Sequence, residues 1–474
     1  MAVWDGGSVR TTHQELTGRV TQMDNTSALS DHATHVSGTM IAAGVKAQAK
    51  GMSPEGLLKA HDWNNDLGEM TSRAAEGVQV SNHSYSSITG WIYNYRRDGR
   101  WVWFGNTSDN SPEDRNFGFY DSRAREWDQL VATAEYYLPV KSAGNDRGEG
   151  PSSQPAQHWE YQSGWNLVNN TRDLDGGVLG YDCITTYGNA KNIMTVGAVE
   201  DIPGGYSTAS DVRMTSFSGW GPSDDGRIKP DIVANGSSLY SSVKSSNAAY
   251  ATSSGTSMSS PSVAGSIGLL IEHQRNLHGS TRLRASTIKG LLLHTADEAG
   301  PSPGPDYMHG WGLMNTGAAA KLMQQDGDGS SSSIIKEETL LQNAVVEFQV
   351  YSPGRGPMKV TICWTDPAGA VPPGKVDPTN RILVNDVDLR ILGPASTEYF
   401  PWVLDPSNPS ASAARGDTVV DNVEQVFIAS PAEGYYTVRV SHKGSLQGGR
   451  QIVSIITSVS NAPALMSPPS GLTE

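Results

Sequence analysis

The chain has 474 residues, which is long enough for more than one domain and for a large buried core. Its 35 Lys and Arg residues against 49 Asp and Glu residues give a net charge of −14, which argues against a nucleic-acid or anionic-membrane partner. The sequence contains no run of 18 apolar residues and no visible signal peptide, and its two cysteines, Cys183 and Cys363, are too few for a disulfide framework.

The first fifty residues place two titratable side chains at the ends of predicted elements. The segment MAVWD is typical of a short buried strand that ends at Asp5, where two glycines turn the chain away. Ser30 or Asp31 then caps a predicted helix of small residues that runs to Ala43 and carries His32 in its first turn. By itself, a carboxylate at the end of a buried strand most often caps a loop.

Strands and helices alternate over the next hundred residues. Strands are predicted over 57–63, 80–87 and from Pro139 onward, with helices over 66–79 and 122–137 between them. This alternation favours an α/β fold with a mainly parallel sheet. Between the second strand and the second helix, residues 88–120 form a polar insertion rich in aromatic residues. It would either shape a cleft or decorate the surface, and we favour decoration.

The segment GTSMSSP (255–261) comes directly before a predicted buried helix. Apolar residues recur there at helical spacing, so Ser257 should lie where a loop enters the helix. Free backbone N–H groups and the positive end of the helix dipole would stabilise an oxyanion at that position, and Gly255 leaves room for a passing backbone. The alternative interpretation is an ordinary helix-capping serine.

Two motifs and the chain order of three residues decide between these interpretations. GTSMSSP resembles the nucleophile motif of the subtilisin-like serine proteases, and HATHVSGT (32–39) resembles their general-base motif. The order Asp, His, Ser is that of subtilisin and differs from the order in chymotrypsin. The resemblance implies a subtilisin-like three-layer α/β fold in which Ser257 is the nucleophile, His32 the base and Asp5 the carboxylate that orients the base.

The same resemblance implies further site residues. Asn145, which follows Ser-Ala-Gly at the end of a predicted strand, would donate to the oxyanion. Substrate would lie as an added strand against Ser84, Tyr85, Ser86, Ala143 and Gly144. Gly6 and Ala33 depart from the family pattern, which has a hydroxyl residue after the aspartate and a glycine after the base, but neither change removes a reacting group.

The last third of the chain has the pattern of successive strands, without the helices that alternate with strands earlier in the chain. We predict a catalytic domain over 1–325, a low-complexity linker over 326–335, a β-sandwich over 336–460 and a tail over 461–474. Six segments with strand patterning follow the linker. Phrases such as LVNDVDLRI and DNVEQVFI resemble the jelly-roll domain of the KP-43-like alkaline subtilisins.

The acidic composition and this resemblance lead to expectations about cofactors and partners. We expect structural calcium and no organic cofactor, and the candidate ligands are Asp386, Asp388, Asp421 and Glu424. A secreted monomer that acts on protein or peptide substrates follows from the resemblance, with no nucleic-acid or membrane partner. Because Asp5 is almost terminal, we also expect a trimmed form that lacks upstream residues.

Other functions fit the sequence less well. A pseudoprotease would lack a catalytic residue, whereas all four expected positions are filled. An adhesion module would account only for the C-terminal third. An esterase of the α/β-hydrolase type requires G-x-S-x-G around its nucleophile and the order Ser, Asp, His, and neither is present.

Overall fold

The computed structural model describes residues 1–109, 111–328 and 333–459. Residues 329–332 of the predicted linker and the predicted tail 461–474 lie outside the described residues. Within those ranges the helices are α1 (Asp31–Ile41), α2 (Asp66–Ala75), α3 (Ser122–Thr133), α4 (Thr256–His278), α5 (Ala285–Thr295) and α6 (Thr316–Gly327). None of these helices is long and apolar enough to cross a membrane.

The strands of the described residues are, in chain order, β1 (Ala2–Asp5), β2 (Val20–Gln22), β3 (Leu58–Asp62), β4 (Val80–His83), β5 (Trp91–Tyr93), β6 (Trp101–Trp103), β7 (Leu138–Ser142), β8 (Ala156–Tyr161), β9 (Trp165–Asn170), β10 (Met194–Val199), β11 (Ile232–Asn235), β12 (Leu239–Ser242), β13 (Tyr250–Ser253), β14 (Ser333–Leu341), β15 (Val346–Pro353), β16 (Met358–Trp364), β17 (Asp386–Leu392), β18 (Glu398–Tyr399), β19 (Trp402–Val403), β20 (Ala414–Arg415), β21 (Val423–Ile428), β22 (Glu433–Lys443) and β23 (Arg450–Val459).

Seven strands form a sheet in the order β11-β10-β7-β4-β1-β3-β2, and every pairing in it is parallel. Successive side chains of a strand point to opposite faces. In β1, Val3 therefore packs into the core shared with α1 and α4, whereas Ala2 and Trp4 pack into the core shared with α2 and α3. The predicted three-layer α/β fold with a mainly parallel sheet is confirmed.

The sheet brings the ends of three strands to one edge. β4 pairs with both β1 and β7, and all three run in the same direction, so the residues that follow them emerge side by side. The predicted strand over 80–87 is shorter in the structure. β4 ends at His83, so Ser84, Tyr85 and Ser86 follow it, and the carbonyl and hydroxyl of Ser84 are bonded to Ser257.

The predicted insertion over 88–120 is more than a surface loop. Its strands β5 and β6 join β8 and β9 in a second sheet of order β5-β6-β8-β9. Trp91 and Trp103 are buried in it, and the guanidinium of Arg172 lies 3.8 Å from the Trp103 ring centroid. Sequence analysis missed this sheet because its two halves lie about fifty residues apart and pair only in three dimensions.

The C-terminal region contains two four-stranded antiparallel sheets, with strand orders β14-β23-β16-β21 and β15-β22-β17-β18, and the short pair β19-β20. Their inner faces share one apolar core, as expected for a β-sandwich. The predicted linker 326–335 overlaps the end of α6 and the start of β14. β14 escaped prediction because its serine-rich, charged beginning lacks an apolar strand pattern.

The sandwich packs on α5 over a buried contact. A Cβ on Gly290 would lie 2.9 Å from Cys363 Cβ and 2.9 Å from Ile456 Cδ1, so glycine lets the helix rest directly on β16 and β23. His294 adds hydrogen bonds of 2.9 Å to Thr361 and 2.8 Å to Ser458. The α/β region and the sandwich are therefore joined by close packing.

A buried ion pair crosses the same interface. The Lys191 ammonium and the Asp366 carboxylate are bonded to each other, and both side chains are fully buried. Lys191 also donates to the carbonyls of Pro367 at 2.7 Å and Ile382 at 3.1 Å, which gives each ammonium proton an acceptor. A pair that is fully hydrogen-bonded in this way tolerates burial, whereas a lone charge does not.

We predict that Lys191→Met lowers the free energy of unfolding by about 3–5 kcal/mol, because it leaves Asp366 charged and unpaired in the interior. Denaturant unfolding measures the change. The matched control is Arg439→Ala, which breaks an exposed ion pair with Glu347 and should cost at most about 1 kcal/mol. Equal costs for the two variants would contradict the assigned role of Lys191.

Candidate active site

The carboxylate of Asp5 lies at the end of β1 and is only 2% exposed. Oδ1 accepts a hydrogen bond from the Gly6 N–H at 2.7 Å, and the two oxygens lie 2.7 and 2.9 Å from Nδ1 of His32. His32 is held in the first turn of α1, whose cap is the Ser30 hydroxyl accepting from the Ala33 N–H at 3.1 Å. The end of a strand and the start of a helix thus present a carboxylate to an imidazole.

The environment of His32 sets its protonation. Burial lowers the pKa of His32, but the hydrogen bond and negative charge of Asp5 raise it by more, so the pKa lies above its ordinary value of 6.5. The side chain is 41% exposed, and it borders a surface depression. The neighbouring His35 is buried and contacts the carbonyls of Leu239 and Ala251 at 3.1 and 3.2 Å.

Ser257 is the second residue of α4. Its hydroxyl donates to the carbonyl of Ser84 at 3.4 Å, and the Ser84 hydroxyl donates to the carbonyl of Ser257 at 3.0 Å. Within the described residues no hydrogen bond joins Ser257 to His32. The start of α4 is therefore held against the segment that follows β4.

Asn145 directly follows the turn after β7. Its Oδ1 accepts from the Thr256 N–H at 2.8 Å and from the Thr256 hydroxyl at 2.9 Å, so the other end of the amide, Nδ2, is its donor. A Cβ on Gly255 would lie 3.5 Å from Nδ2 of Asn145 and 3.7 Å from the backbone N of Ser257. Two N–H donors thus border one space beside Gly255.

The remaining predicted substrate residues surround this space in different ways. Ala143 is buried and its N–H donates to Val196. Gly144 donates to the Thr256 hydroxyl at 3.2 Å and accepts from the Gly219 N–H at 3.0 Å, so both of its backbone groups are used within the protein. Their backbone groups are therefore held by the protein directly before Asn145.

Tyr85 and Ser86 lie on the outer side of the site. The Tyr85 hydroxyl donates to Asp66 at 2.8 Å, and Ser86 is exposed. Both border a depression that also includes Trp63, Ile88 and Trp127. Thr256, which sequence analysis did not single out, orders Asn145, and the only signal for it was its place directly before Ser257.

The predicted calcium ligands do not all meet. Asp388 and Glu424 come together with Asp417, which sequence analysis missed because aspartates in turns are common. Asp421 is not in this group. Its Oδ1 accepts from the Ile228 N–H at 2.9 Å, and burial raises its pKa to about 7.

The charge around this group also differs from that of an open cation site. Lys443 is bonded to Asp388 and Asp417, lies 3.7 Å from Asp386, and so already supplies a positive charge. Arg390 is bonded to Asp417 as well. Within the described residues, one oxygen each of Asp386 and Glu424 has no hydrogen-bond partner. A calcium ion bound to Asp388, Asp417 and Glu424 would have to compete with the positive charges of Lys443 and Arg390.

Comparison with curated proteins finds relatives over parts of the chain. The C5a peptidase of Streptococcus pyogenes serotype M18 is 56% identical over 137 residues, which are 27% of this chain and 12% of the relative. The C5a peptidase of serotype M3 is 35% identical over 154 residues, 31% of this chain and 13% of the relative. Pyrolysin of Pyrococcus furiosus is 45% identical over 124 residues, 25% of this chain and 9% of the relative. The matched part is thus a small fraction of each relative's length.

Among solved structures, the prenylagaramide maturation protease PagA is similar at 17% identity with a TM-score of 0.45, covering 68% of this chain and 91% of that one. The patellamide maturation protease PatA is similar at 19% identity with a TM-score of 0.45, covering 68% and 96%. Residues 5–312, more than half of the chain, match the family model described as the subtilase family. The chain belongs to the subtilase family.

Proposed function

We propose that the chain is a secreted, monomeric serine endopeptidase that hydrolyses peptide bonds in proteins through Asp5, His32 and Ser257. The observation that carries this proposal is the contact of both Asp5 oxygens with Nδ1 of His32. A proton held on Nδ1 leaves Nε2 as the base that can accept a proton from a nucleophile. Membership of the subtilase family supports the reaction class.

The nucleophile must change its hydrogen-bond partner before it reacts. The Ser257 hydroxyl donates to Ser84 in the resting arrangement, so rotation about its Cα–Cβ bond has to bring it to His32. His32 then takes the hydroxyl proton as Oγ attacks the peptide carbonyl. The Asp5 carboxylate stabilises the imidazolium that forms.

The attack places negative charge on the former carbonyl oxygen. The side-chain N–H of Asn145 and the backbone N–H of Ser257 are the proposed donors to it. The tetrahedral intermediate collapses as His32 returns the proton to the leaving amine, which gives an ester on Ser257. A water molecule, deprotonated by His32, then hydrolyses the ester and restores the hydroxyl.

We further propose where the substrate lies. A peptide that pairs with the Ser84–Ser86 segment would extend past the exposed Ser86 toward the depression between Trp63 and Ile88. Trp63 is 51% and Ile88 50% exposed, so an apolar substrate side chain would cover apolar surface there. In the sandwich, β14 to β17 and β21 to β23 alternate between the two sheets, and this alternation supports a jelly roll.

We predict that a fluorophosphonate probe labels Ser257, because a serine activated by a base attacks phosphorus as it attacks a carbonyl. Intact-mass spectrometry and peptide mapping measure the label. Ser257→Ala should remove it completely. Ser260→Ala, which changes a buried serine bonded to Asn82, should keep it. Labelling that persists in Ser257→Ala would contradict the assignment of the nucleophile.

We predict that kcat/KM falls at acidic pH with a midpoint above 6.5, since a protonated His32 cannot accept a proton and Asp5 raises its pKa. Asp5→Asn should move this midpoint to lower pH and reduce kcat by about 10⁴. Rates measured on a peptide substrate from pH 5 to pH 9 check both effects. An unshifted midpoint in Asp5→Asn would show that Asp5 does not control the base.

We predict that Asn145→Asp and Asn145→Ala both reduce kcat by about 10²–10³ with little change in KM, because each removes an oxyanion donor. The two variants separate catalysis from structure. The aspartate keeps the oxygen that accepts from Thr256, whereas the alanine does not. Near-normal kcat in Asn145→Asp, with a large loss in Asn145→Ala, would mean that Asn145 only holds Thr256 in place.

A further inference from the structure

The last strand of the second sheet, β9, has an open edge. β9 pairs with β8 on one side only, and within the described residues no other backbone group bonds to residues 165–170. Asn166, Leu167, Asn169 and Asn170 are exposed. In an antiparallel pair, alternate residues direct their N–H and C=O groups away from the partner strand. These groups of β9 are therefore free to pair with an added strand.

β9 lacks the features that usually protect an edge strand. Its sequence, WNLVNN, contains no charged residue and no proline. The long edge strands of the sandwich differ, because β14 carries Lys336, Glu337 and Glu338 and β15 carries Glu347. The opposite edge of the second sheet, β5, has only three residues. β9 is thus the edge of this sheet that is long enough and uncharged enough to bind another strand.

The second sheet turns one face to the protein and the other to solvent. On the inner face Glu160 is buried and pairs with Arg172 at 2.8 Å. On the outer face Trp159 lies in register with Leu167, since successive side chains of β8 point to opposite faces. Leu167 is 40% and Tyr161 60% exposed. A strand added beside β9 would therefore cover apolar surface on the outer face.

The turn between β5 and β6 brings positive charge to this face. Its three arginines, Arg96, Arg97 and Arg100, and its one carboxylate, Asp98, give it a net charge of 3 − 1 = +2 in a chain of net charge −14. Arg100 lies 3.5 Å from Asp98, whereas Arg96 and Arg97 form no ion pair within the described residues. The Arg96 guanidinium lies 4.7 Å from the ring centroid of Trp165, the first residue of β9. The surroundings of β9 therefore favour a negatively charged partner.

The sheet is held at a fixed position relative to the proposed substrate segment. Only residues 87–90 separate Ser84–Ser86 from β5. Two buried carboxylates fix this connection: Asp114 accepts from the Gly90 N–H at 2.8 Å, and Asp175 accepts from the Trp91 N–H at 3.0 Å. A polypeptide that passes along Ser84–Ser86 can therefore meet β9 as part of the same rigid surface.

We propose that β9 is a second binding site for the polypeptide substrate, at which an extended acidic segment outside the cleaved region pairs as an added strand. This inference rests on the proposed function. The segment would bond to the open edge through its backbone, cover Leu167 with apolar side chains and direct carboxylates to Arg96. A second copy of the chain fits less well, because its own β9 has no carboxylate to offer these arginines.

The binding test uses the full chain carrying Ser257→Ala, so that binding is measured whether or not the proposed reaction occurs. The probe is a fluorescent peptide of about ten residues in which glutamate alternates with valine and threonine, long enough to span β9. Fluorescence anisotropy should show binding that weakens at least about tenfold when lysine replaces glutamate, or when proline replaces alternate residues and prevents strand pairing. Equal binding of the three peptides would overturn the proposal.

Two variants locate the bound peptide. Leu167→Glu/Asn169→Glu adds negative charge to the open edge and should weaken binding of the acidic peptide at least about tenfold. Arg96→Gln/Arg97→Gln changes only exposed turn residues and should weaken it at least about fivefold. The matched control, Val345→Glu/Gln349→Glu, adds the same charges at exposed residues of the sandwich edge and should keep the affinity. Undiminished binding in either β9-site variant would overturn the proposal.

Two further measurements identify the mode of binding. The acidic peptide should slow hydrogen exchange of residues 165–170, because an added strand occupies their free N–H groups. Protection confined to other parts of the chain would overturn the proposal. Light scattering should find the same mass for the parent and Leu167→Glu/Asn169→Glu. A dimer that only this variant dissociates would instead assign β9 to pairing between two copies.

Kinetics of the active chain connect the site to substrate choice. The acidic peptide, joined through a Gly-Ser linker to a peptide that the enzyme cleaves, should lower KM at least about tenfold compared with the same fusion to the lysine peptide. Equal KM values would overturn the inference and leave the proposed function intact. Binding of the acidic peptide at β9 without cleavage of either fusion would contradict the proposed function and support the binding site.

Discussion

The candidate site depends on the parallel pairing of three neighbouring strands. Because β4 lies between β1 and β7 and all three run in one direction, Asp5, Ser84 and Asn145 emerge at the same edge of the sheet. A single antiparallel strand among them would send one of these residues to the opposite side of the domain. The start of α4 then adds Ser257 to an arrangement that the sheet has already fixed.

Residues that take no part in the proposed reaction hold the reacting groups in place. The Gly6 N–H donates to the Asp5 carboxylate at 2.7 Å. Thr256 bonds to Asn145 through both its N–H and its hydroxyl, and it accepts from Gly144. These contacts orient the amide before any substrate arrives, and such preorganisation is what makes a donor effective toward a developing charge.

Features formed by residues close together in the sequence could be predicted, whereas features formed by segments far apart in the sequence could not. The end of β1 at Asp5 and the cap of α1 at Ser30 are local, so periodicity and capping rules were sufficient to predict them. The sheet of β5, β6, β8 and β9 and the contact of Asp417 with Glu424 join segments with no shared local pattern. The oxygens of Glu113, Asp182 and Asp377 lie within 4.8 Å of one another although the residues are far apart in the sequence, and only the folded chain brings them together.

The boundary between the α/β region and the sandwich can be located in the sequence, but α5 packs tightly against both regions and joins them. On one side α5 is anchored by Lys289, which bonds to Asp231 at 2.8 Å and to the carbonyls of Lys191 and Ile193. On the other side Gly290 and His294 fit against β16 and β23. α5 thus packs against both the α/β region and the sandwich.

This shared helix bears on how such a protein could gain or lose its C-terminal third. A polypeptide that stopped after α6 would uncover the flank of α5 together with the unsatisfied ammonium of Lys191, and an exposed apolar strip of this kind favours self-association. Loss of the sandwich would therefore require compensating polar substitutions on α5. Recombination at the linker alone would yield a shorter chain that tends to self-associate.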